Sequence, residues 1–166
     1  MKAIFLTGFM GAGKTTIGKE LSKHFNIPAI DSDEEIEKQM NTTVRSIFET
    51  RGENYFRTLE TNVLRSLPTE DVIVTTGGGI VKLEENRKWM KENGNVIYLH
   101  CDFPILWERL RNDDTRPLIV TKEHTEKLYE TRREQYMDHH LMVDTSVKTV
   151  FEVVLEIAEK IKKTTN

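Results

Sequence analysis

The sequence predicts an α/β fold: a three-layer α/β/α domain with a five-stranded parallel sheet. Short apolar runs at 3–6, 27–30, 72–74, 96–99 and 141–143 alternate with longer stretches of helical periodicity. This alternation is typical of parallel strands connected by crossover helices. A glycine-rich segment lies between the first apolar run and the first helical stretch, as phosphate-binding loops do.

The helical stretches support this fold in chain order. The first has apolar residues at helical spacing from Ile17 to Phe25, and the last repeats this pattern from Val150 to Ile161. Such faces are typical of helices that pack on a sheet. The predicted helices span residues 14–25, 34–40, 43–66, 83–93, 103–111, 122–139 and 146–163.

Composition limits the number of domains and the classes of partner. The chain has 166 residues, which is enough for one domain over 1–166 and too few for two. Its formal net charge of −3 gives no overall field that would attract nucleic acid. No apolar run approaches the roughly 20 residues of a membrane helix, and none of signal-peptide length precedes the glycines. Cys101 is the single cysteine. We expect a cytoplasmic monomer that acts without nucleic acid or membrane.

The segment GFMGAGKTT at 8–16 predicts a loop that binds a nucleoside triphosphate. Its glycines let backbone amides approach phosphate oxygens, and the helix that follows adds the positive end of its dipole. Lys14 should reach the β- and γ-phosphates of ATP, and the Thr15 hydroxyl should coordinate Mg²⁺, which prefers oxygen ligands. The alternative is an accidental glycine turn, which the strand, loop and helix order disfavours. The predicted ATP-binding residues here are Gly11, Ala12, Gly13, Lys14, Thr15 and Thr16.

Two carboxylates follow the predicted second strand. Asp31 and Asp33 are alternate residues, which point to opposite sides of an extended segment. One carboxylate could then hold a metal-bound water while the other meets an acceptor hydroxyl. A structural alternative is that Ser32 or Asp33 merely caps the next helix, where Ser and Asp are common. The position one strand from the phosphate loop favours the functional interpretation.

Several arginines are candidate ligands for an acidic substrate. Arg57 and Glu60 are three residues apart and share a helix face, so the carboxylate could orient the guanidinium. An oriented arginine offers two parallel donors to a planar carboxylate. The spacing alone favours an exposed ion pair instead. Arg132 is a second candidate, and Arg133 points about 100° away around the helix.

The end of the third strand is rich in glycine. In the segment 77–79 the backbone could approach a bound molecule closely and donate N–H groups, although a tight turn is the alternative. Thr75 stands where other phosphate-loop ATPases carry a metal-binding Asp at a strand end. Mg²⁺ would then depend on Thr15, phosphate oxygens, water and Asp31.

The polar segment 112–117 interrupts the helical pattern, and we expect a lid over approximately 112–125. Arg116 lies in it, and a cation that closes over the phosphates would stabilise charge in the transition state and exclude water. The alternative is a solvated loop arginine, which is common.

A series of motifs runs along nearly the whole chain: the loop 8–16, Asp31-Ser32-Asp33, Gly52-Glu53 with Phe56-Arg57 and Glu60, the glycines 77–79, Arg116-Pro117-Leu118, Arg132 with Tyr136, and Val143-Asp144-Thr145. In this order and spacing they resemble the motifs of shikimate kinases. The resemblance implies a fold similar to that of nucleoside monophosphate kinases, with strand order 2-3-1-4-5. It also implies transfer of the ATP γ-phosphoryl group to the 3-hydroxyl of shikimate, on the route to chorismate and the aromatic amino acids.

The same resemblance implies roles for single residues. Asp33 would meet the acceptor hydroxyl, and Asp31 would contact Mg²⁺ through water. Arg57 and Arg132 would hold the shikimate carboxylate, with the substrate-binding region at approximately 33–60. The remaining implied contacts are Gly78 and Gly79 with shikimate, Arg116 with the phosphates and Arg111 with adenine.

One segment departs from the family pattern. After Arg132 the family usually has Pro-Leu before its tyrosine and Glu after it, whereas this chain reads REQYMD from Arg133. A register shifted by one would exchange the two arginines, and we retain Arg132. Two other functions stay open: another small-molecule kinase on this scaffold, such as a gluconate or nucleotide kinase, and a non-catalytic nucleotide-binding module that senses shikimate.

Overall fold

The structure is a computed structural model that describes residues 1–112 and 121–165. Within these ranges five parallel strands form one sheet in the order β2-β3-β1-β4-β5, which confirms the predicted fold and strand order. The elements are β1 (Ala3–Thr7), α1 (Lys14–Phe25), β2 (Ala29–Asp31), α2 (Ser32–Met40), α3 (Val44–Arg51), α4 (Glu53–Ser66), β3 (Ile73–Thr75), a 3₁₀ turn (Ile80–Lys82), α5 (Glu84–Asn93), β4 (Gly94–His100), α6 (Phe103–Arg111), α7 (Lys122–Tyr136), β5 (Leu141–Asp144) and α8 (Val150–Thr165).

The sheet brings the carboxyl ends of its central strands together. All five residues of β1 are buried, as expected for a parallel strand that helices cover on both faces. Leu6 of β1 aligns with Thr75 of β3 and with Ile97 of β4, and Asp31 of β2 aligns with the same Thr75. The loops after β1, β2 and β3 therefore open at one edge of the sheet, where ligands bind in such folds.

The single helix predicted over 43–66 is wrong, because the structure has two helices there. Gly52 separates α3 from α4 and has φ 82° and ψ 172°, a conformation that ends a right-handed helix. Its N–H still donates to the Phe48 carbonyl at 3.0 Å, and its carbonyl accepts from the Phe56 N–H at 3.3 Å. The apolar periodicity of the two helices concealed this break.

Other element ends differ by a few residues. The predicted strand 27–30 is Ala29–Asp31, and the helix after it begins at Ser32 rather than at residue 34. The helix predicted over 122–139 ends at Tyr136. The last helix begins at Val150 because Thr149 caps it: Thr149 Oγ1 accepts from the Glu152 N–H at 3.3 Å, and Glu152 Oε2 accepts from the Thr149 N–H at 2.8 Å.

The core lies on both faces of the sheet. Tyr136 at the end of α7 stacks on Tyr98 of β4 with ring centroids 5.2 Å apart, which packs this helix against the site edge. Of the helices in the described ranges, none is both long and apolar enough to cross a membrane.

Candidate active site

A cavity of about 530 Å³ opens at the carboxyl edge of the sheet. The loop between β1 and α1 forms one side, and residues that follow β2 and β3 form the other. Its lining residues are Met10, Gly11, Gly13, Lys14, Thr15, Thr16, Asp31, Asp33, Thr76, Gly77, Gly78, Arg109, Leu110 and Asn112. The phosphate loop and both predicted aspartates thus share one cavity.

The phosphate loop leaves the N-terminus of α1 open to an anion. Gly13 is the N-cap of this helix and has no side chain to accept from the first N–H groups, and the first turn has no acidic residue. These N–H groups and the helix dipole therefore favour a negatively charged ligand. Lys14 Nζ donates to the carbonyls of Gly8 at 2.7 Å and Phe9 at 3.1 Å, which holds the ammonium group across the loop.

Asp31 is fixed by two neighbouring elements. Its Oδ1 accepts from the N–H groups of Asp33 at 3.0 Å and Glu34 at 3.3 Å, so Asp31 is the N-cap of α2. The structural alternative of a cap at Ser32 or Asp33 is therefore wrong, since Asp31 is the cap, and Asp33 is helical rather than extended. The other oxygen of Asp31 accepts from Thr75 Oγ1 of β3 at 2.8 Å. Thr75 thus holds a carboxylate from the adjacent strand where other phosphate-loop proteins carry their own Asp.

Asp33 is a buried carboxylate with a raised pKa. Burial and then the negative charge of Asp31 raise its pKa to about 6, although Lys14 and Arg57 act in the opposite direction. Among the described residues, its Oδ1 has no hydrogen-bond partner. A Cβ on Gly77 would lie 2.6 Å from this oxygen, so a larger residue there would displace the carboxylate. In the described part of the chain, Oδ1 therefore keeps an unused hydrogen-bonding capacity.

Arg57 and Glu60 form a buried pair. Arg57 Nη1 donates to Glu60 Oε2 at 2.6 Å, and the two side chains are 12% and 1% exposed. The exposed ion pair that the spacing favoured is therefore wrong. The guanidinium lies 5.2 Å from the Phe56 ring and 5.9 Å from the Phe48 ring. Burial raises the pKa of Glu60 to about 7, against the opposing charge of Arg57.

The glycine triplet brings the predicted substrate ligands together. A Cβ on Gly79 would overlap the Arg57 guanidinium, and one on Gly78 would lie 3.5 Å from Arg132 Nη1. Tyr136 Oη donates to the Gly78 carbonyl at 2.6 Å, which ties α7 to the triplet. With Gly77 against Asp33, each glycine faces one of these side chains. Contact of the triplet with a bound molecule stays a prediction. Gly77 lines the cavity although only Gly78 and Gly79 of this segment were assigned to the substrate from the sequence.

Of the two adjacent arginines on α7, Arg132 faces the site. Its Nε is buried without a hydrogen-bond partner in the described ranges, and its guanidinium lies 5.9 Å from the Phe9 ring. Arg133 is 64% exposed and lies 3.8 Å from Glu130. The helix register is therefore the one that we retained from the sequence.

On the nucleotide side, the structure places Arg109 rather than Arg111 beside the phosphate loop. Arg109 lines the cavity and donates to the carbonyls of Gly11 at 3.3 Å and Thr145 at 2.9 Å. Arg111 pairs with Glu108 at 2.6 Å and is 58% exposed. Sequence reasoning missed Arg109, because its contacts with Gly11 and Thr145 join segments that are remote in the chain. Arg116 and most of the predicted lid lie outside the described residues.

Comparisons with known proteins agree on one family. The family model described as shikimate kinase matches residues 10–162. A shikimate kinase of Bacillus cereus (strain AH187) is 51% identical over 165 residues, which are 98% of this chain and 100% of that protein.

Solved structures agree with this relationship. The shikimate kinase from Acinetobacter baumannii in complex with shikimate has a TM-score of 0.90 and 32% identity, over 99% of this chain and 94% of that one. The shikimate kinase from Aquifex aeolicus has a TM-score of 0.84 and 37% identity, over 98% of both chains. The similarity therefore spans the whole fold and every element that contributes to the cavity.

Proposed function

This chain belongs to the shikimate kinase family, and on that premise we propose that its cavity transfers the γ-phosphoryl group of ATP to the 3-hydroxyl of shikimate. One observation carries the residue assignment. The glycine triplet has Asp33, Arg132 and Arg57 against its three residues, and the cavity that Gly77 and Gly78 line also includes Lys14. This arrangement supports a binding site for an organic acid next to one for phosphate.

Two arginines bind the organic acid in this proposal. Arg57 is held by Glu60 and two aromatic rings, and Arg132 by its position over Phe9. A preorganised guanidinium presents parallel donors to a carboxylate with little loss of side-chain freedom. We assign the shikimate carboxylate to this pair, with the backbone of Gly78 and Gly79 beside the ring.

Asp33 orients the acceptor hydroxyl and receives its proton. In a loose phosphoryl transfer the proton leaves late, so alignment of the hydroxyl provides much of the effect. A carboxyl group whose pKa is raised to about 6 is still largely ionised at neutral pH and is a better proton acceptor than an ordinary aspartate. Its buried Oδ1, which has no partner within the described ranges, fits this role.

The donor end holds the ATP phosphates. The open N–H groups of α1 and the ammonium group of Lys14 would bind the β- and γ-phosphates, and Arg109 would border the nucleotide beside Gly11. We propose Arg116 as the lid cation that neutralises charge on the transferred group. The contact of Arg111 with adenine stays a prediction.

Thr15 and Asp31 would hold Mg²⁺ with the ATP phosphates. Both line the cavity beside Lys14, and one or two protein oxygen ligands are what a phosphate-bound Mg²⁺ requires. Asp31 accepts hydrogen bonds on both oxygens, which favours contact through water, as the sequence predicts. When bound, the cation neutralises phosphate charge and orients the γ-phosphoryl group.

Release of ADP in the presence of candidate acceptors tests the proposed function. We expect release with shikimate and none above background with gluconate or a nucleoside monophosphate. Release with either of these instead would identify another small-molecule kinase. ATP binding without release for any acceptor would favour the non-catalytic module.

The cellular compartment and oligomeric state stay predictions. The buried free thiol of Cys101 is compatible with a reducing cytoplasm. Light scattering after size-exclusion chromatography measures the molar mass. A mass of about 19 kDa would support a monomer, and a multiple of it would contradict one.

A further inference from the structure

Behind the acid-binding arginine, one carboxylate is shared by two cations. Glu53 lies in the first turn of α4, one helical turn before Arg57, and Lys82 ends the 3₁₀ turn that follows the glycine triplet. Glu53 Oε1 accepts from Lys82 Nζ at 2.5 Å and from both Nε and Nη2 of Arg57 at 3.4 Å. The same oxygen therefore contacts a residue of the binding helix and a residue of the glycine segment.

The distances show that this sharing is unequal. Charge-assisted hydrogen bonds between nitrogen and oxygen are typically about 2.7–2.9 Å long. The contacts with Arg57 are longer than this range, whereas the contact with Lys82 is shorter. The hydrogen bond from Lys82 also lowers the pKa of Glu53, so the carboxylate stays charged. Lys82 thus holds a negative charge that Arg57 would otherwise attract.

The position of Glu53 makes it a competitor for the ligand of Arg57. The two residues are four apart on α4, a spacing at which an ion pair closes readily. Glu60 already accepts from Nη1 of the same guanidinium. A second carboxylate drawn fully onto Nε and Nη2 would neutralise the group and occupy the edge that is suited to bidentate contact with an acid.

We propose that Lys82 is a positioning residue that limits the Glu53 carboxylate to long contacts with Arg57 and so keeps this guanidinium available to the carboxylate of shikimate. The inference rests on the proposed function and assigns a role to a side chain outside the main cavity. Lys82, Glu53 and Arg57 line a separate outer cleft of about 490 Å³. Arg65, another cation of that cleft, is itself engaged by Glu85 at 2.6 Å and does not replace Lys82.

Steady-state kinetics of ADP release on a small set of variants tests this role. We expect Lys82→Met to raise the KM for shikimate about fivefold, the scale of a partly exposed ion pair, with little change in kcat or in the KM for ATP. Lys82→Arg should keep the KM for shikimate near the wild-type value, because it keeps a cation at this position. In Lys82→Met/Glu53→Gln the KM should return close to the wild-type value, because the competing charge is gone. Lys88→Met, on the exposed surface of α5, is the control for loss of one positive charge.

The double variant separates this role from its alternatives. An unchanged KM in Lys82→Met, or an equal rise in Lys88→Met, would overturn the inference. A rise that Glu53→Gln does not reverse would also overturn it, because Lys82 would then act directly on the substrate or on the fold. A wild-type protein that releases no ADP with shikimate would overturn the proposed function itself, and this inference with it.

Discussion

Two Arg–Glu pairs with the same sequence spacing have different environments in this protein. Arg57–Glu60 and Arg111–Glu108 are both three residues apart on one helix, and both have a nitrogen to oxygen distance of 2.6 Å. The first pair is 12% and 1% exposed, and the second is 58% and 55% exposed. The three-residue spacing is therefore compatible with contact in both pairs and determines burial in neither.

The difference shows what burial adds to an ion pair. Around Arg57 the rings of Phe48 and Phe56 and the backbone of Gly79 exclude water, and the pKa of Glu60 is raised. A pair in such surroundings interacts strongly with any further charge that enters. An exposed pair is screened by solvent and contributes about 0–1 kcal/mol. Of the two pairs, we propose the buried one as a substrate ligand.

The largest effect is expected at the buried carboxylate beside the first pair. Asp33→Asn should lower kcat by at least about a hundredfold, because a group that orients and deprotonates the acceptor is lost. The KM for ATP should change little, as measured by ADP release. Asp71→Asn is the matched control, since Asp71 is an exposed partner of the N-terminal amino group at 2.7 Å. Unchanged turnover in Asp33→Asn would remove its assigned role.

The second prediction compares the two arginines directly. Arg57→Ala should raise the KM for shikimate about thirtyfold, the loss expected for a charge-assisted hydrogen bond. The KM for ATP should stay near the wild-type value in this variant. Arg111→Ala should leave the KM for shikimate unchanged. If Arg57→Ala raised the KM for both substrates equally, the role of Arg57 would be structural. The buried pair would then resemble the exposed one in having no role in binding.

A smaller effect is expected on α7, where the buried and exposed arginines are adjacent. Arg132→Ala should raise the KM for shikimate about tenfold, because it removes the second carboxylate ligand. Arg133→Ala removes an equal charge from the surface and serves as the control. A larger rise of the KM for shikimate in Arg133→Ala than in Arg132→Ala would show that the helix register differs in the substrate complex.

The smallest effect concerns stability and pH. Burial raises the folded-state pKa of Glu60 to about 7, above the 4.5 of an exposed glutamate, so the native protein binds more protons than the unfolded chain between these pH values. The free energy of unfolding should therefore fall as pH rises through this interval. Urea denaturation from pH 4.5 to pH 8 measures the slope.

Glu60→Gln should reduce that slope, because the titrating group is gone. Glu108→Gln is the matched control, since it removes a carboxylate of the same spacing from the exposed pair. A slope in Glu60→Gln as steep as in the wild type would show that burial of Glu60 has no thermodynamic consequence.

The parts of the fold that local signals encode were predictable. The apolar run that forms β1 and the phosphate loop after it are contiguous, and both lie where the sequence placed them. The break at Gly52 was missed because α3 and α4 continue one periodicity. The alternative cap that we considered was Ser32 or Asp33 rather than Asp31, because every residue of that segment suits an N-cap and the pattern does not fix the boundary.

The choice among arginines depended on how distant segments pack. Periodicity separated Arg132 from Arg133 by angle but did not say which of the two faced the glycine triplet. Arg109 and Arg111 also lie on one helix, and the contact of Arg109 with the Gly11 carbonyl spans 98 residues. No local pattern encodes a contact at that separation.

The sequence by itself determined the ligand class, because the chemistry of phosphate binding is contained in nine consecutive residues from Gly8 to Thr16. Only the tertiary structure decided which charged side chains surround the proposed acid pocket. These side chains come from α2, α4 and α7 around the glycine triplet, and these segments are remote in the chain. Burial is a property of this assembly, and burial separates a binding arginine from a solvated one.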